Sequence, residues 1–144
     1  MGVHVQTRGL KNPPVRGPKV RERAERMLAA LRMPDAELSI LLCDDETIWA
    51  LNRDYRGKDR PTDVLAFAMR EGEGPALHQE LLGDVVISLD TARRQAAERG
   101  RTIVYEVTFL LAHGLLHLLG YDHQTDDEER RMSARTDALV AAAS

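Results

Sequence analysis

The chain has 144 residues, of which 43% are apolar, and its 20 Lys+Arg against 23 Asp+Glu leave a formal charge of −3. That length fits one domain over 1–144 with a core of its own, and the near-neutral balance excludes a polyanion binder held by bulk charge alone. Cys43 is the only cysteine, so neither an intramolecular disulfide nor a multi-cysteine zinc site can form, which fits a reducing compartment.

The opening MGVHVQTRGLKNPP lacks the apolar core of a secretory signal, and Gln6 stands where a myristoylation pattern needs Ser or Thr. Residues 3–6 read as a short edge strand, and a Pro/Gly-bearing stretch follows over 11–18. From 19 to 32, Val20, Ala24, Met27, Leu28 and Leu31 recur at helical spacing. Residues 37–42 form an apolar strand ending at Asp44-Asp45, whose acids cap a helix through about Asp54 with Ile48, Trp49 and Leu51 on its buried side. After the break at Arg60-Pro61, residues 64–69 read as a strand, 71–75 as a polar loop, and 81–88 as a buried strand. A helix over 89–99 stops at Gly100. Residues 103–119 are apolar nearly all round and predict a central buried helix, and Glu106, His113 and His117 within that run make it too costly for a bilayer. The last helix spans 126–143 and opens on four acids, Asp126 to Glu129. The order predicts an α+β, or α/β-like, domain: a small sheet packed with five helices. A soluble cytoplasmic protein with no membrane partner is the expectation.

Three of the five histidines fall within HGLLHLLGYDH at 113–123. Positions i and i+4 share one face of a helix, so His113 and His117 can address one ion, and Gly120 lets the chain double back to bring His123 to the same point. Three imidazoles leave a tetrahedral zinc one open position, a hydrolytic arrangement, although other divalent transition metals suit the same donors. His4 and His78 lie in polar surroundings and read as merely exposed. The spacing is also that of metzincin peptidases, but those need a Glu directly after the first histidine as general base, and that place holds Gly114.

A second constellation, LNRDYRGKDRPTDVLAF at 51–67, gathers Arg53, Arg56, Lys58 and Arg60 around Tyr55, a basic and aromatic patch of the kind that holds single-stranded nucleic acid. Taken alone, the segment equally suits a solvated helix end. Positive charge also collects before residue 33, in Arg8, Lys11, Arg16, Lys19, Arg21, Arg23, Arg26 and Arg32, so the net charge hides a polarised molecule.

HGLLHLLGYDH at 113–123, LNRDYRGKDRPTDVLAF at 51–67 and LLGDVVIS at 81–88 together resemble the YbeY family of bacterial endoribonucleases, in order and spacing over most of 37–140. The resemblance implies a mixed four-stranded sheet, one metal (usually taken as zinc) on His113, His117 and His123, and a functionally required arginine at Arg56. It also implies action on single-stranded RNA, notably the 3′ end of small-subunit ribosomal RNA, in rRNA maturation and ribosome quality control, with the small subunit or its assembly factors as partners. The oligomeric state stays open. Ala66 and Ala68 stand where the family commonly has Ser and Pro. In physical terms Arg56 would hold the scissile phosphate, with Arg53, Tyr55, Lys58 and Arg60 contacting the RNA. Asp122 either orients a histidine or water or forms a turn, and Asp84 is either a support of the metal site or purely structural. No residue is an evident general base; if the ribose 2′-OH is the nucleophile, DNA is not cut. Two other readings remain at this point, a zincin-like metallopeptidase and a non-catalytic assembly factor whose metal holds the C-terminal helices.

Overall fold

The computed structural model describes residues 2–69, 81–122 and 124–144. Its elements follow the chain as β1 (Val3–Arg8), α1 (Gly17–Ala30), β2 (Glu37–Cys43), α2 (Asp45–Arg56), β3 (Val64–Ala68), β4 (Leu81–Ser88), α3 (Leu89–Arg99), α4 (Ile103–Leu118) and α5 (Asp126–Ala143). The expected order and the mixed four-stranded sheet are both present. The polar loop expected at 71–75, His78 and His123 lie outside the described residues.

The strands are arranged β1-β2-β4-β3, with β1, β2 and β4 parallel and β3 antiparallel on β4. Because side chains alternate across a strand, the register sorts them into two faces. Val5, Ile40, Val85 and Ala66 form one row across all four strands and face the main core, whereas His4, Ser39, Asp84 and Phe67 form the adjoining row on the other side. Helices α1 and α4 cover the first face, and α5 packs on those two helices from outside. α2 lies on the second, where Ile48 packs with Cys43, Leu65 and Val86.

α4 is the central helix, as its uniform apolarity predicts. Thr102 caps it by accepting from the Tyr105 amide at 3.1 Å, and Val107, Leu110, Leu111, Leu115, Leu116 and Leu118 are buried along it, each contributing about 1.5–3 kcal/mol of transfer free energy. α5 begins with a reciprocal capping box between Thr125 and Glu128 and lies against α4 and α1. One expectation is corrected. Trp49, expected on the buried side of α2, is 42% exposed; its indole donates to Asp59 at 2.7 Å. Two of the N-terminal arginines serve the packing of helices: Arg26 donates to the Ala143 carbonyl at 3.2 Å and Arg23 to the Ser144 hydroxyl at 3.1 Å, tying α1 to the end of α5.

Candidate active site

α4 carries the two histidines on one edge of its buried surface. His113 and His117 are half-buried and bring their Nε2 atoms to 3.2 Å, with ring planes at 75° and centroids 4.8 Å apart. Zinc–imidazole bonds of about 2.0–2.1 Å at tetrahedral angles place neighbouring nitrogens roughly 3.3 Å apart, so the pair is spaced as two ligands of one ion would be. The donor chemistry fits as well. Imidazole nitrogens suit zinc and its neighbours, and the single thiol is not available as a ligand: burial, and then the charge of Asp44, push Cys43 up to about 12, so it stays protonated at neutral pH. Among the described residues no three metal-binding side chains gather, and His123 is not one of those residues.

Gly114 explains why the first histidine is not followed by an acid. A Cβ at this position would lie 2.7 Å from Val85 Cγ1 and 3.2 Å from Val64 Cγ2, because α4 lies directly on the sheet there. Glutamate has no room at that place, and the peptidase mechanism loses its base for a packing reason.

The basic segment is brought to the same end of α4. α2 runs to Arg56 and stops at Gly57, whose φ of 68° is left-handed and favours glycine. The amides of Gly57 and Lys58 bond back to the Arg53 and Asn52 carbonyls at 3.2 Å each. Buried Asn52 then donates to the Arg60 carbonyl at 2.8 Å, and the Trp49–Asp59 bond fixes the same loop from outside. Arg56 donates to the Ala66 carbonyl of β3, and its guanidinium lies 4.9 Å from the centroid of Phe67. Tyr55, 70% exposed, meets Phe67 edge to face at 5.8 Å.

Between this loop, β3 and the end of α4 lies a cleft of about 760 Å³. Tyr55, Arg56, Lys58, Arg60, His117 and Asp122 all line it. Among the described residues no carboxylate forms an ion pair with Arg56, Lys58 or Arg60. Two sequence candidates stand elsewhere. Arg53 is absent from the lining and pairs with Asp54 at 3.1 Å on the surface. Asp84 lies on the opposite sheet face, in a second depression with His4 and Ser39, and does not support the histidines. Burial there raises its pKa, partly offset by a hydrogen bond from Ser39. Sequence reasoning missed Asn52 and Phe67 as the groups that hold the loop and the arginine. The period-two alternation of Leu65 and Phe67 was the available signal for the latter.

A mixed α+β sheet with a histidine pair on its central helix, opening on a cleft lined by cations and aromatics, defines a small domain suited to an anionic, base-bearing substrate. The family model for "Endoribonuclease YbeY" matches residues 13–144. A protein of that name from Syntrophotalea carbinolica is 48% identical over 141 residues, 96% of this chain and 93% of the relative. Its namesake in Geobacter metallireducens is also 48% identical, over 89% and 87% of the two chains. A solution structure of the Thermotoga maritima protein TM1509 superposes with a TM-score of 0.68 at 25% identity, covering 98% of this chain and 88% of that one. The chain belongs to the YbeY endoribonuclease family.

Proposed function

We propose that this protein is a metal-dependent endoribonuclease that cuts single-stranded RNA during ribosomal RNA maturation, at the 3′ end of the small-subunit rRNA and in ribosome quality control. The carrying observation is the convergence of Arg56, Lys58 and Arg60 with His117 in one cleft. His113 and His117, with His123 as the third ligand, would hold one zinc ion or a similar divalent transition metal, which would supply a Lewis acid for the scissile phosphate.

The other steps belong to the chain. Arg56, anchored on Ala66 and Phe67, keeps further N–H groups for phosphate oxygens and stabilises charge that develops on them. Lys58 and Arg60 hold neighbouring phosphates, and exposed Tyr55 offers a face on which an unpaired base stacks. Duplex RNA hides its base faces, which favours single strands. Asp122 lines the same cleft as His117 and would orient a histidine or a water there. The small ribosomal subunit or its assembly factors would present the RNA. No helix among the described residues is long and apolar enough to cross a membrane, and a cytoplasmic site of action fits the substrate.

The test is cleavage of an unpaired oligoribonucleotide by protein loaded with zinc. His117→Ala and Arg56→Glu should each abolish cutting, and a DNA strand of the same sequence should resist. Full cutting by both variants would remove the assignment. A His123→Ala variant that melts early yet still matures rRNA in cells would instead favour a structural metal.

A further inference from the structure

The histidine pair stands at the end of a column of side chains that begins at the turn between α3 and α4. Glu106 is wholly buried, and its carboxylate accepts from Arg99 at 2.7 Å and from Arg101 at 3.2 Å. Arg101 follows the left-handed Gly100 (φ 65°) and reaches back along α4, where its guanidinium lies 5.0 Å from the Tyr105 centroid and 5.2 Å from that of Phe109. Tyr105 and Phe109 are four residues apart, so the two rings lie one above the other with the guanidinium against both. Phe109 is in turn four residues before His113, and their rings are near-parallel at 21° with centroids 6.4 Å apart. His113 then meets His117 edge to face.

We propose that Glu106, Arg101 and Phe109 form a positioning column for His113, fixing the plane of its imidazole so that Nε2 faces His117 before a metal arrives. This rests on the metal reading above. The terminal torsion of a histidine is broad and two-fold, so an unsupported ring would present Nε2 or Nδ1 to the site. The buried carboxylate holds the guanidinium, the guanidinium holds the Phe109 ring, and that ring limits the rotation of His113. Ordering a ligand in advance removes an entropic cost from binding, and groups behind metal ligands typically set affinity by about 10–100-fold. None of the three residues lines the cleft that holds Arg56 and His117, so their effect would be on the metal and reach catalysis through it.

The test uses the full metal-free chain, with zinc affinity measured by competition against a chromogenic chelator and site geometry by the visible spectrum of the cobalt(II)-loaded protein. Phe109→Leu keeps the volume and removes the flat ring; Arg101→Lys keeps the ion pair with Glu106 and removes the planar stack. Each should weaken zinc about tenfold and alter the cobalt spectrum, while Phe109→Tyr should stay within about twofold of wild type. Unchanged affinity and spectrum in Phe109→Leu would overturn the column. So would equal losses in Phe109→Leu and Phe109→Tyr tracking a drop in melting temperature, the mark of packing alone. His117→Ala separates the two readings: zinc binding as tight as wild type in that variant would overturn the metal site itself.

Discussion

Replacing Arg56 by lysine keeps a positive charge in the cleft and removes the planar fork, so it separates charge from geometry. In the folded protein the guanidinium donates to the Ala66 carbonyl and rests on Phe67, but it is exposed. An exposed cation–aromatic contact is worth about 0.5–1 kcal/mol, so melting should fall by only about 2–4 °C. The effect on the reaction is larger. One of the five N–H groups is engaged by Ala66, which orients the other four, whereas an ammonium on a flexible stem loses both the aromatic support and the bidentate fit to phosphate. Removing one preorganised donor costs about 2.7–4 kcal/mol at the transition state, or 10²–10³ in rate. Retained charge places Arg56→Lys at the lower end, a loss of about 10². The assay is single-turnover cleavage of a 5′-labelled unpaired RNA at saturating protein, with a thermal melt on the same sample. A rate within about threefold of wild type, where 1.4 kcal/mol is tenfold, would refute the role of the guanidinium geometry.

Gly114→Ala should lower the melting temperature, because overpacking against Val85 and Val64 costs about 1–3 kcal/mol and exceeds the roughly 1 kcal/mol that alanine gains over glycine in a helix; a rise in a thermal melt would show that the sheet yields there. Asp45 is raised by burial, but hydrogen bonds from Ser88, Thr91 and Arg94 outweigh this and leave its pKa lowered. A depressed folded pKa stabilises above the ordinary carboxylate value of about 3.9 and is lost as pH falls through the folded value. Asp45→Asn should therefore melt below wild type at pH 7, with the gap closing on acidification; a gap that widens in acid would reverse the assignment. Treatment with a strong chelator should stop RNA cleavage, and added zinc should restore it, as read by the same labelled oligonucleotide; cutting that persists after metal analysis shows removal would exclude a catalytic metal.

Much of the fold was written in local pattern. The helical spacing of Val20, Ala24, Met27 and Leu28, the acids Asp44 and Asp45 at the start of α2, and the unbroken apolarity of α4 each bind a short segment to one shape. The pairing of His113 with His117 was legible for the same reason, since four residues on a helix fix two side chains on one face. The meeting of Arg56 with His117 could be expected only from family resemblance, because 61 positions separate them in the sequence and no local rule spans that distance.

The sequence by itself therefore determined the elements and the histidine pair. Only the tertiary structure decided which of the surrounding charges belong to the site. Arg53 and Arg56 are one turn apart on α2, yet only the second reaches β3 and the cleft. Asp84 is removed from the histidines by sheet parity, facing away from α4 while its neighbour Val85 faces it. Trp49 leaves the core to hold the loop at Asp59, and Arg23 and Arg26 are used at the end of α5. The face taken by Asp84 depends on strand register, where a one-residue shift would reverse it, and the contacts of Arg23 and Arg26 depend on the docking of α5 against α1.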